Sequence, residues 1–264
     1  MTTIGITISI FICFAVPFIA LFKLRKKTDA KVSSFFIGTA IFILFTLILE
    51  SILHYFVLTA NTPVSKFLAS NPYMYVLYAS LAAGVFEETG RFVAFRSFQQ
   101  RERLTTGNAL MYGVGHGGTE AILLCGVTMV SNLVLVLLLS FMGTEEYLSK
   151  LPDPETSKAA INTFLSIPSM DFFLAGIERL FAMIFHVAMS LFVFTSAAKQ
   201  GKKYLYPVAI LLHTLLNIPA GLYQKGIIKN IYFLEIYIAI FATICFVVAT
   251  KLITNKKETP VIVE

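Results

Sequence analysis

Apolar and polar residues alternate along this chain in long blocks. Seven apolar stretches, at about 4–22, 33–60, 73–98, 107–142, 170–197, 205–222 and 230–252, are divided by shorter polar segments. A membrane-crossing helix needs about 20 mainly apolar residues, so the pattern predicts an all-α, polytopic transmembrane bundle. The 107–142 stretch exceeds one straight crossing of a core about 30 Å thick at about 1.5 Å per residue. Gly113, Gly115, Gly117, Gly118 and Gly126 offer places for it to bend or break. The expectation is one crossing with an irregular first half, giving about seven spans; division into two would make eight. Two segments are expected to be polar loops: Asn61 to Asn71, and 143–168 with Glu145, Glu146 and Asp153.

Composition agrees with this reading. Hydrophobic residues make up 57% of the 264 positions and charged residues 14%, against about 25% charged in soluble domains. The chain is expected to form a single integral membrane domain, 1–264. Trp is absent, so the 11 Tyr would supply the interfacial belt. Cys13, Cys125 and Cys245 lie in apolar stretches without CxxC spacing and read as small buried hydrophobes. The first apolar stretch lacks a basic flank before it and is followed by Lys23, Arg25, Lys26 and Lys27, the pattern of a first span rather than a cleaved signal peptide.

Alternating the spans places 14 of the 21 basic residues on one side: those of 23–31, Arg96 to Arg103, Lys199 to Lys203, and Lys251 to Lys257. The positive-inside rule then puts the N-terminus outside and the C-terminus inside. The net charge of +6 resides in these short flanks, so lipid is the expected partner and nucleic acid is not.

The charges that remain inside the apolar stretches stand out. Glu87, Glu88 and Arg91 lie in the third stretch. Each such charge costs about 2.5–3.5 kcal/mol at the centre of a membrane helix, so partners from other helices are expected. All four histidines, His54, His116, His186 and His213, also fall in apolar stretches. Counted inward from Arg96, Arg103, Lys199 and Lys203 at about 1.5 Å per residue, Glu87, Glu88, His116, His186 and His213 share a depth of roughly 12–20 Å. Scattered structural polars have no reason to agree in depth.

Helical spacing adds detail. Arg91 can fold back on either carboxylate. His116 and Glu120 share a face, as do His213 and Asn217, Glu50 and His54, and Arg179 and His186 with Glu178 alongside. Adjacent carboxylates suit general acid/base work. The histidines suit metal ligation, with a carboxylate or amide orienting each ring. Each set also has a plainer reading: an ion-pair cluster for Glu87–Glu88–Arg91, a hydrogen-bonded helix staple for His116/Glu120 and for His213/Asn217, and mutual neutralisation for Glu50/His54 and Glu178/Arg179. The run Gly115-His116-Gly117-Gly118 is either a helix break or a close-packing face.

The ordered set Glu87-Glu88-xx-Arg91, Tyr112-xxx-His116 and His213-xxx-Asn217 resembles the motifs of the CAAX-protease and bacteriocin-processing superfamily of intramembrane proteases. The segment Gly113 to Glu120 and the shortened first motif look most like its YhfC branch, described as intramembrane metalloproteases. The resemblance covers about 73–222. It implies a catalytic core there, with water activated by Glu87 and Glu88, Arg91 matching the family arginine, and His213 and Asn217 matching the last motif. It also implies that His116 and His213 either bind a metal or position the water and oxyanion; with His186 at the same depth as a further candidate ligand, zinc is the natural ion for mixed His/carboxylate ligation, and a metal-free glutamate–water mechanism is the alternative. The arginine here stands one residue closer to the glutamates, and Tyr112 replaces Phe. The implied activity is hydrolysis of a peptide bond in a membrane-associated peptide or protein. The alternatives are a proton- or ion-coupled transporter or channel built on the same buried charges, and a non-catalytic membrane binding or immunity protein. Turnover against ion flux separates the first two. Tolerance of glutamate loss marks the third.

Overall fold

In the computed structural model of the chain, residues 1–100 and 104–254 are described; Arg101, Arg103, Lys256 and Lys257, counted above among the basic flanks, lie outside them. Every element among the described residues is helical. In chain order these are α1 (Thr2–Lys27), α2 (Val32–Thr59), α3 (Pro63–Ser70), α4 (Pro72–Gln100), α5 (Thr106–Met142), α6 (Thr144–Ser149), α7 (Pro154–Ser166), α8 (Ser169–Ala198), α9 (Leu205–Gln224) and α10 (Ile231–Thr254). Six of them, α1, α2, α5, α8, α9 and α10, are long and apolar enough to cross a membrane. Helix α4 has 29 residues, but its buried residues include Glu87, Glu88 and Arg91.

Both segments expected as polar loops contain helices. The first carries α3, whose first turn is set by Thr62: its hydroxyl accepts the Ser65 N–H at 3.1 Å, and Pro63 stands at the first helical position. The second carries α6 and α7, the latter capped by Asp153 accepting from the Thr156 N–H. Helix α9 continues past Pro219 to Gln224.

Helix α5 is continuous, and its irregular turn is π-helical winding at Ala121–Gly126. Of the glycines that offered places to bend, Gly126 ends the π-helical turn, and Gly113–Gly118 lie in regular α-helix. Close approach explains this. A Cβ on Gly115 would collide with the Phe35 carbonyl of α2, and one on Gly38 with the Tyr112 carbonyl of α5. These glycines are contact faces between backbones, not hinges.

The chain forms two compact units, Met1–Val16 with Glu120–Leu180, and Pro17–Thr119 with Phe181–Glu264. In the first, Ser9 donates to the Phe172 carbonyl, and Arg179 pairs with Glu120 at 2.9 Å and with Glu178. Cys13 and Cys125 are buried free thiols. In the second, α4 runs beside α9. A Cβ on Gly84 would stand 2.8 Å from the Ile210 carbonyl, and one on Gly221 2.8 Å from the Val76 side chain. A core of Phe95, Phe98, Tyr112, Phe185, Met189 and Leu216 packs around that pair and α10. Small residues thus let the helices that carry the histidines approach α4 and one another closely.

Replacing Gly115 with Ala forces α2 and α5 apart. Thermal unfolding in detergent should report a loss of about 1–3 kcal/mol or more, while Ser131→Ala on the exposed face of α5 changes stability by about 0.5 kcal/mol at most.

Candidate metal centre

The centre is built from four helices of the second unit. Helix α4 contributes Glu87, Glu88 and Arg91, α5 His116, α8 His186 and α9 His213, all of them buried. The shared depth read from the sequence becomes a shared location. Glu87 Oε2 lies 2.8 Å from His116 Nε2 and 3.7 Å from His186 Nδ1, while Glu87 Oε1 lies 3.7 Å from His213 Nε2. The imidazoles pack in a row, with centroids 5.1 Å apart for His116–His186 and 5.4 Å for His186–His213. Tyr112 stacks on His116, Phe42 meets it edge-on, and Phe185 meets His213 edge-on. Gly117 makes room for His186: a Cβ there would stand 3.0 Å from the His186 Cβ.

Hydrogen bonding fixes which ring nitrogens carry protons. Glu88 Oε1 accepts from Arg91 Nη1 and lies 2.7 Å from His213 Nδ1. An ionised carboxylate only accepts, so His213 carries a proton on Nδ1, and its Nε2 faces Glu87. Arg91 only donates, so its 3.3 Å contact with His186 Nδ1 requires a lone pair on that nitrogen. His213 thus faces Glu87 through Nε2, and His186 faces it through Nδ1, whose single lone pair Arg91 occupies in this arrangement. Arg91 is fully buried and offsets the charge of Glu88, which would otherwise be prohibitive at this depth.

This donor set can hold a metal. One ligand atom each from Glu87, His186 and His213 lie within 4.8 Å of one another. Their chemistry, two neutral imidazole nitrogens and one carboxylate oxygen, suits a divalent ion such as zinc. The Nδ1–H of His213 on Glu88 is the outer carboxylate that ligating histidines commonly have. The fully buried oxygens Glu88 Oε2 and Tyr112 Oη have no hydrogen-bond partner among the described residues, as expected where a small polar molecule binds.

The donor set differs in part from the three histidines expected from the sequence. Glu87, His186 and His213 form the group within 4.8 Å, and His116 lies 2.8 Å from the Glu87 carboxylate. Glu120 pairs with Arg179 at 2.9 Å. Asn217 lies one turn beyond His213, half-buried, with no side-chain hydrogen bond among the described residues. Glu50 and His54 pair at 3.2 Å as their spacing suggested. Their further partner Tyr78, 3.0 Å from His54 Nδ1, was not found from the sequence, because nothing local marks a tyrosine on another helix.

Replacing Arg91 with Met leaves Glu88 without its cation. The expected loss in thermal or denaturant unfolding is about 3–5 kcal/mol, with partial recovery in the double variant Arg91→Met/Glu88→Leu, because removing a buried pair together spares the orphaned charge. Exposed Arg96→Met should lie within about 0.5 kcal/mol of the wild type.

The profile of the family described as YhfC intramembrane metalloprotease matches residues 12–238. A relative in Bacillus subtilis (strain 168), "Uncharacterized membrane protein YhfC", is 36% identical over 234 residues, covering 88% of this chain and 89% of the relative. No solved structure gives a significant match. With its six apolar helices and buried Glu/His/His group, the chain is a multi-pass membrane protein that belongs to the YhfC intramembrane metalloprotease family.

Proposed function

We propose that this protein is an intramembrane endopeptidase that hydrolyses a peptide bond in a membrane-associated peptide or protein, with a zinc ion at Glu87, His186 and His213. The observation that carries the reading is the buried convergence of those three donors within 4.8 Å. The family description supports the same chemistry. The ordered motifs of 73–222 support membership of the wider CAAX-protease and bacteriocin-processing superfamily, with the catalytic core in that segment. The basic flanks support seven crossings with the N-terminus outside and the C-terminus inside, α4 being the seventh. Lipid surrounds the bundle, and nucleic acid has no part in the reading.

When bound, the ion supplies Lewis acidity toward a peptide carbonyl and lowers the pKa of water. The side chains supply the rest. Glu88 keeps Oε1 on Arg91 and His213 and has Oε2 free to take a proton from the attacking water. Arg91 holds Glu88 in place, and Glu88 in turn holds the His213 ring. Protonated at Nε2, His116 donates to Glu87 and fixes its carboxylate from the side of α5. Asn217 has an uncommitted amide one turn from His213, suited to stabilising the carbonyl oxygen as charge develops on it. The leaving amine takes up the proton held by Glu88, so hydrolysis consumes one water and leaves a carboxyl and an amine product.

In zinc analysis of the purified protein, wild type should carry about one equivalent, and His213→Ala and Glu87→Ala should lose it. Glu88→Gln should weaken zinc binding about 10–100-fold through loss of the oriented His213 ring. Cleavage of membrane-tethered peptides should vanish in Glu87→Gln with the fold intact, and in the fraction of Glu88→Gln that stays folded with Arg91 short of its counter-charge. Wild-type turnover in both variants would overturn the assignment.

A further inference from the structure

A hydrolytic site buried in a helical bundle consumes water that must cross apolar protein to reach it. Along α2, four residues spaced four apart lead away from the centre: Phe42, Thr46, Glu50 and His54. Phe42 packs edge-on against the His116 ring, with centroids 5.2 Å apart, so the row begins at the centre itself. Next comes Thr46, whose Oγ1 is buried without a hydrogen-bond partner. Glu50 is 6% exposed; its Oε1 lies 3.2 Å from His54 Nε2, and its Oε2 is buried without a partner. His54 completes the row with a side chain 30% exposed, near the Thr59 end of α2, and its Nδ1 lies 3.0 Å from the Tyr78 hydroxyl of α4.

Two features set this row apart from ordinary helix packing. A buried carboxylate oxygen and a buried hydroxyl without partners are costly unless small polar molecules satisfy them. Buried water does so in most proteins, making about three hydrogen bonds at each site. The backbone is also π-wound at Ile43–Glu50 and again at Tyr55–Thr59, on both sides of the short regular turn Ser51–His54. Such winding is rare and concentrates at functional sites.

We propose that Tyr78, His54, Glu50 and Thr46 form the route by which water reaches the Glu87–His186–His213 centre from the Thr59 end of α2. The route rests on the hydrolytic reading for its purpose, but its existence does not depend on catalysis. Glu50 is a positioning residue on it: with Oε1 on His54, it presents Oε2 to incoming water. Thr46 extends the polar surface one turn further toward the centre.

The route is tested by hydrogen–deuterium exchange at the histidine C2 position, read by mass spectrometry on the full-length protein in lipid nanodiscs placed in D2O. Variants are matched in metal content and followed across a full pH profile, which separates water access from protonation. Glu50→Leu and Thr46→Val should each slow exchange at His213 about tenfold by removing groups that hold buried water. Glu50→Gln, still able to hold water, should exchange at close to the wild-type rate. Thr46→Val is nearly isosteric and decides the matter if Glu50→Leu does not fold. Wild-type exchange at His213 in Thr46→Val and in any folded Glu50→Leu protein would overturn the route. Slowed exchange in a protein that cleaves no peptide keeps the route and removes the peptidase; unchanged exchange with peptidase activity intact removes the route alone.

Discussion

The second unit of this protein is arranged around one requirement: Arg91 and Glu88 are both fully buried, and neither can stay charged there without the other. A lone charge at this depth would cost several kcal/mol. The ion pair removes most of that cost but leaves hydrogen-bonding capacity over. Glu88 spends part of it on His213, and Arg91 spends part on His186. The pair therefore draws α8 and α9 to α4 and sets the orientation of both rings. Glu87, one residue earlier, takes His116 from α5.

Close packing makes the arrangement possible. Side chains as short as Glu and His bridge adjacent helices only where the backbones approach. Gly84 opposite Ile210, Gly117 opposite His186 and Gly115 opposite Phe35 supply that approach. Without a hydrophobic driving force between helices in lipid, such small-residue contacts carry much of the association. The glycines near His116 thus serve the centre by rigidity, holding regular α winding where the sequence alone suggested a bend, while the looser winding of α5 falls later, at Ala121–Gly126.

The chemistry follows from how the protons are shared. Glu88 and Arg91 hold the two rings, so that His213 Nε2 and His186 Nδ1 both face Glu87, making a three-residue group with one carboxylate beside it. A carboxylate oxygen of Glu88 stays uncommitted next to that group. Donors fixed before an ion or substrate arrives need little rearrangement during reaction, which is the main electrostatic advantage of a buried site.

Much of this was legible in the sequence. Block hydropathy showed the helical spans, because a helix must satisfy its own backbone in lipid and so needs a continuous apolar run. The cost of intramembrane charge marked Glu87, Glu88, Arg91 and the histidines, and counting from the basic flanks brought them to one level. Helical spacing found the Arg91–Glu88 and Glu50–His54 pairs, since residues three and four apart are neighbours on any helix. For Glu120 a shared face only permits a pair; the partner the structure gives it is Arg179, from another helix. Which three donors converge, that Glu87 rather than His116 is among them, and that Tyr78 extends the Glu50–His54 pair were decided by the tertiary structure alone. One-dimensional periodicity sets the face and depth of a side chain. The azimuth of one helix against the next, which determines who meets whom, comes only from packing.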